Sequence, residues 1–197
     1  MESVVYPLPK PLVATTQVRS TLLCASMQSL RARGHFDAYL AELTEEQRAQ
    51  AIAMTAGSWL PVQSAMVHYL ACDRVVMSRD ERLEIGAEVA RRIQQSPLHV
   101  LVRLSREAGA SPWSVLAYAE KLRAQSWQGG GVQILKTGPK DMRLVWQLQP
   151  CARSTHFRAG FAGIVKGLFE LFCRRAYVSE ETAHCTDTTL AIAGSWA

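Results

Sequence analysis

The stretch Phe157–Cys185, FRAGFAGIVKGLFELFCRRAYVSEETAHC, decides the fold. It begins as an apolar segment punctuated by glycine and ends as a charged, β-branched run closed by His184 and Cys185. A membrane segment, a metal site and the packed spine of a domain are the three readings to separate. A membrane-spanning helix needs about 18–20 consecutive apolar residues. Nowhere does the chain reach that length, and Arg158, Lys166 and Glu170 interrupt this run with charges that are costly in lipid. The spine reading is left. Gly160, Gly163 and Gly167 share one helical face. Each is unfavourable in a helix interior by roughly 0.5–1 kcal/mol relative to alanine. Three on one face therefore require a close neighbour. A sheet layer is the expected one, with another helix or a bound ligand as alternatives. Phe161, Ile164, Leu168, Leu171 and Phe172 border that face and supply apolar burial.

Working outward, VQILKT and DMRLVWQLQ flank GPKD as two β-type runs around a turn. In the second, Met142, Leu144, Trp146 and Leu148 alternate with Arg143, Val145 and Gln147, so one face is buried and the other mostly wet. AYVSEET and TTLAIAG, joined by a turn at HCTD, supply two more strands. The last third reads strand–strand–helix–strand–strand. The fold class is α+β, with a helical N-terminal two-thirds packed on a four-stranded antiparallel sheet. Residues 1–15 read as an extended arm, because Pro7, Pro9 and Pro11 disfavour helix and sheet. Residues 16–127 form the helical part and 128–197 the α+β part of one compact domain. Val18, Leu22, Leu23, Met27 and Leu30 mark a first helix that Gly34 stops. FDAYLAEL is a short helix. Thr44 and Ser78 open the capping boxes TEEQ and SRDE, the second heading a helix with Leu83, Ile85, Val89 and Ile93 inward. Pro61 sits in the first turn of another helix, and Pro97 starts one that runs to Gly109. Ser111-Pro112 launches a helix that reaches Trp127. QGGG then breaks the pattern.

Composition bounds the function. Hydrophobic residues make up 48% of the 197 and charged residues 20%, ordinary for a water-soluble domain. The formal charge of +5 is spread along the chain with no basic block, which argues against nucleic acid as a partner. Five cysteines without CxxC spacing and no apolar leader point to free thiols in a cytoplasmic setting.

Chemical motifs are sparse. Cys151, His156, His184 and Cys185 have zinc-ligand chemistry, but their spacing matches no structural zinc pattern. Ser154, His156 and Asp187 have the residue types of a triad without a nucleophile elbow, and Ser154 reads better as a helix cap. The triple glycine lacks the GK[ST] ending of a phosphate loop. Lys136, Lys140 and Arg143 around the hairpin read as a solvated charged turn. His68 and His99 read as buried or boundary histidines that hold a backbone carbonyl; Trp59, Trp113, Trp127 and Trp146 have the chemistry to line an aromatic pocket, with core packing the default for most of them.

The glycine helix FRAGFAGIVKG, the following YVSEE and Cys185 resemble the C-terminal end of the 4-vinyl-reductase-like small-molecule-binding domain and of the haem nitric-oxide/oxygen-binding domains. With MQSLRARGHFDAYLAEL (Met27–Leu43) and SWLP (Ser58–Pro61), residues 16–193 look most similar to a related myxobacterial paralogous family of unknown function. The resemblance implies helices wrapped on an antiparallel sheet with a pocket between them. It carries over no functional residue. The helix that would hold the haem ligand, Pro112–Trp127, has no histidine, and ARSTHF stands where the haem relatives have Tyr-x-Ser-x-Arg. Cys185 has Ile192 and Ala193 where the 4-vinyl-reductase-like relatives often place a second cysteine. The expected protein is a sensory or interaction module in signalling, not an enzyme, with no cofactor. It would bind a small apolar ligand or a protein partner. The expected pocket residues are Trp113, Tyr118, Trp127, Trp146, Phe157, Gly160, Phe161 and Ile164. The alternative is a scaffold that homodimerises and takes no ligand.

Overall fold

Ser154 Oγ accepts a hydrogen bond from Phe157 N at 3.1 Å and starts the glycine-bearing helix, which runs Thr155–Phe169. The computed structural model in which it sits describes residues 2–94 and 110–197, with the backbone alone over 92–94. The helix expected from Pro97, His99 within it, and the side chain of Ile93 lie outside the described residues. In chain order the elements are β1 (Ser3–Tyr6), β2 (Gln17–Arg19), α1 (Ser20–Ala32), α2 (Phe36–Ala41), α3 (Glu45–Ala53), β3 (Trp59–Pro61), α4 (Val62–Arg74) and α5 (Arg79–Gln94). Then follow α6 (Pro112–Leu116), α7 (Ala119–Ser126), β4 (Trp127–Gln128), β5 (Gly131–Gly138), β6 (Asp141–Gln147), α8 (Thr155–Phe169), β7 (Ala176–Glu180) and β8 (Thr189–Trp196).

The main sheet is antiparallel throughout, in the order β1-β5-β6-β8-β7. Opposite one another across β5 and β6 stand Val132 and Trp146, then Ile134 and Leu144. Met142, Leu144 and Trp146 are buried and the residues between them only half so, as the alternation requires. β6 stops at Gln147 because Leu148 takes a φ of 57°. The sheet has five strands rather than the expected four. The arm's prolines all follow Tyr6, so Ser3–Tyr6 keeps its amide hydrogens and pairs with the outer edge of β5. A second, three-stranded sheet, β3-β2-β4, was not expected. Strands of two or three residues carry no readable alternation. Val18 and Trp127, assigned to helices from the sequence, are strand residues here.

The helix expected over Pro112–Trp127 is two helices, broken at Ala117 and Tyr118. Tyr118 has a ψ of 4° and leaves helical geometry. Other punctuation matches the sequence reading. Gly34 and Gly57 take φ values of 75° and 103°. Both capping boxes form: Thr44 Oγ1 accepts from Gln47 N at 3.3 Å, and Ser78 N donates to Glu81 Oε2 at 2.7 Å. Replacing Thr44 with alanine is expected to lower unfolding stability by about 1 kcal/mol, read as a urea midpoint shift at constant slope.

The glycine face of α8 turns to α5, not to the sheet. A Cβ on Gly163 would lie 2.8 Å from the Leu83 carbonyl carbon, and one on Gly86 would lie 2.6 Å from that of Gly160. Gly167 rests on Ala90. The two helices thus meet backbone to backbone, which requires small residues from both; α5 supplies Gly86, Ala87 and Ala90. Phe157 and Phe169 of α8 pack onto Trp146 and Trp196, with ring centroids 5.9 and 5.3 Å apart. A separate core of Met27, Leu30, Tyr39, Leu43 and Cys72 lies among α1, α2 and α4.

Candidate functional site: an apolar cavity beneath the helices

Between α5, α7, α8 and the sheet is a cavity of about 210 Å³. The sheet contributes Val132, Leu144 and Trp146; α8 contributes Phe157, Phe161 and Ile164. Val89 of α5, Leu116 of α6 and Leu122 of α7 also line it. Its aromatic wall is held by mutual packing. Trp127 meets Trp146 edge to face at 5.4 Å, and Trp146 meets Phe161 at 5.0 Å. Since each ring is fixed by the next, the space between them is not filled by rotation of a side chain.

One end is polar, where Ser26, Tyr69 and His156 border the cavity. His156 is 1% exposed, and its Nδ1 has no hydrogen-bond partner. Its position is fixed by its own backbone, whose N–H donates to Asp73 Oδ1 at 2.6 Å. Ser26 Oγ lies 2.9 Å from Nε2 of His68, whose Nδ1 lies 3.0 Å from the Tyr39 hydroxyl. His68 is therefore a buried histidine, as the sequence suggests, but it holds two hydroxyls rather than a backbone carbonyl. Burial pushes His68 down to about 3, reinforced by His156. Burial likewise pushes His156 down to about 3, with the nearby Arg82 guanidinium adding to it. Both rings are neutral. Burial raises the Tyr69 hydroxyl and the Cys72 and Cys151 thiols, so none of them is an ionised nucleophile at neutral pH.

Six of the eight residues expected from the sequence border the cavity: Trp127, Trp146, Phe157, Gly160, Phe161 and Ile164. Two do not. Trp113 lies on the hairpin, its Nε1 donating to the Pro139 carbonyl at 3.0 Å and its ring against Trp196. Tyr118 is 60% exposed because the break after α6 turns it outward. A polar part of the lining was not anticipated; of its residues only His156 was singled out from the sequence, for metal-ligand and triad chemistry rather than as a cavity residue.

The reactive-residue sets are not assembled. Ser154 Oγ caps α8 and reaches the Tyr69 carbonyl at 3.3 Å, while Asp187 is exposed in the turn before β8. Cys185 Sγ contacts the backbone of Ala191, and His184 is exposed beside Glu181. Among the described residues no group of three or more His, Cys, Asp or Glu is placed to hold a metal ion. Around the hairpin, Arg143 is bound by Glu181 and Glu2. Among the described residues no helix is long and apolar enough to cross a membrane.

Among the described lining residues no cation is free to pair a haem propionate. Among the described lining residues there is one imidazole, His156, and one guanidinium, Arg123. Arg123 is already committed to the Glu120 carboxylate and to the Trp127 and Gly129 carbonyls, leaving no free cation for a propionate. The volume of about 210 Å³ also falls below the ~300–1,000 Å³ typical of pockets for drug-sized ligands.

No protein-family model matches the chain, and no curated protein matches it. Solved structures do. The Fe(II) unliganded H-NOX protein from K. algicida superposes with a TM-score of 0.65 at 12% identity, over 91% of this chain and 96% of that one. A point mutant of T. Tengcongensis H-NOX gives 0.60 at 12% identity, over 90% and 96%. An oxygen-binding H-NOX domain related to soluble guanylate cyclases gives 0.55 at 11% identity, over 90% and 94%. Helices laid on an antiparallel sheet with a cavity between them are, in this chain, an H-NOX-like fold.

Proposed function

We propose that this chain is a non-enzymatic sensory module that takes a small apolar molecule into its cavity, uses no haem, and signals through a protein partner or a second copy of itself. On this reading it belongs with the myxobacterial paralogous family that residues 16–193 resemble. The observation that carries the proposal is the largely apolar cavity of about 210 Å³ inside an H-NOX-like fold. An engineered apolar cavity of ~150 Å³ stays dry and binds benzene, so this one has room for a substituted single ring. The H-NOX neighbours include an oxygen-binding domain, which supports a sensory role for the fold. The commitment of Arg123, the one guanidinium among the described lining residues, to Glu120 and two carbonyls supports a different occupant here.

Native mass spectrometry and thermal melting of the purified chain test this. A retained small molecule, or a rise in melting temperature with millimolar toluene, is the expected result. Ala119→Phe, which places a ring into the cavity from α7, is expected to abolish that rise. A bare dimer with no response to toluene would favour the scaffold. A Soret band, native or after hemin titration, would overturn the haem-free reading.

A further inference from the structure

We infer that Gly160 sets the length of the ligand: the side chain it lacks leaves the space that takes an alkyl substituent, so the occupant is a single ring bearing an alkyl chain. This rests on the cavity being a ligand site. Glycine is unfavourable in a helix interior, so each one in α8 needs a cause. Gly163 has its cause in packing, since a Cβ there would press on the backbone of Leu83 and Ala87. Gly167 has one too, a Cβ there lying 3.1 Å from the Ala90 Cβ. Gly160 has none of this kind: its Cβ would meet only the Arg82 carbonyl oxygen, at 3.8 Å. The close approach of Gly86 to the Gly160 backbone needs the side chain of Gly86 to be missing, not that of Gly160. What Gly160 does border is the cavity.

Helix geometry directs the missing side chain. His156, Gly160, Ile164 and Leu168 are spaced by four, form one row along α8 and all line the cavity. A helical side chain leans back over the preceding turn, which here carries His156 and Phe157, both in the lining. The surroundings supply the chemistry. Among the described lining residues α5 contributes only Ile85, Gly86, Val89 and Ala90, an aliphatic surface facing the seam where Gly86 meets Gly160. Trp127, Trp146 and Phe161 form the aromatic wall, packed ring against ring. The ligand's ring lies against that wall, and its alkyl chain runs to the seam at Gly160.

Benzene, toluene, ethylbenzene and n-propylbenzene form the test, by calorimetric titration of the whole chain and of Gly160→Ala. Each added carbon that finds room raises affinity about fourfold. The unaltered chain is expected to gain in this way from benzene to ethylbenzene. Gly160→Ala, which puts a methyl group into the space, is expected to weaken ethylbenzene and n-propylbenzene about fourfold and to leave benzene within about twofold. Should the variant not fold, nuclear Overhauser contacts in the unaltered chain decide: the propyl methyl group is expected to reach the Gly160 α-protons, and their absence overturns the inference. An affinity that falls from benzene onward in the unaltered chain, or a variant that changes every member of the series equally or not at all, overturns the role of Gly160 and leaves the apolar site standing. Failure of the whole series to bind removes the site itself.

Discussion

Gly163→Ala is expected to destabilise the chain by about 3 kcal/mol or more, the upper end of ordinary overpacking. The added Cβ would fall within van der Waals contact of the Leu83 carbonyl group and 2.9 Å from Ala87 N, all of it backbone on α5. No side chain is there to rotate aside, so the helices must separate and release the apolar area that their contact buries. Gly160→Ala is the internal control. It stands one turn earlier on the same face, yet its Cβ would meet only the Arg82 carbonyl oxygen at 3.8 Å. With no clash, the higher helix propensity of alanine leaves stability unchanged or raised by up to ~1 kcal/mol. Urea unfolding monitored by circular dichroism separates the two. Equal midpoints would mean that α5 and α8 do not meet as described. Gly86→Ala is expected to behave like Gly163→Ala, since it clashes with the Gly160 carbonyl.

Acid is expected to act as strongly. His68 and His156 are held near 3 in the fold, against an ordinary value of 6.5. Between those values the unfolded chain binds the protons that the folded chain refuses, so stability rises with pH across this window. It is fully present above about pH 6.5 and is lost as pH falls towards 3. Each histidine contributes up to about tenfold in the folding equilibrium constant per pH unit, and the pair up to about a hundredfold. The Arg33–Glu88 pair, with the Glu88 carboxyl held below its ordinary 4.5, adds losses in the same direction only at lower pH. Urea midpoints at pH 7, 6 and 5 check the effect. A flat profile over that range would show that the two imidazoles are hydrated or already charged in the native state.

The parts of this fold legible in the sequence were those with a local cause. Thr44, Ser78 and Ser154 announce helix starts through side chains that answer their own first turn. The hairpin and the final pair of strands show alternation long enough to read. Three features depended on distant partners and were not legible. The strand Ser3–Tyr6 exists because β5 has an open edge. The short β2, β3 and β4 support one another without any periodic pattern. The glycine face found α5 because Gly86, unremarkable in its own helix, matches Gly160 across the contact. The cavity shows the same division. Its aromatic wall was foreseen because large rings on a strand and a helix near glycines must share a core. Its polar residues were not, because Ser26, Tyr69 and His156 come from three helices far apart in sequence.

The N-terminal arm has a consequence of its own. It is laid along the outer side of β5, with Val4 opposite Leu135 and with Pro9 and Leu12 over Gly131. Its backbone answers the strand's outward amides and carbonyls. Shortening the chain from this end would strip that cover and bare a straight row of unpaired hydrogen-bonding groups beside Ile134 and Leu135. The first segment thus leaves the four-residue β1, followed at once by Pro7, as the sheet's edge in place of the eight-residue β5, a shorter template for edge-to-edge pairing.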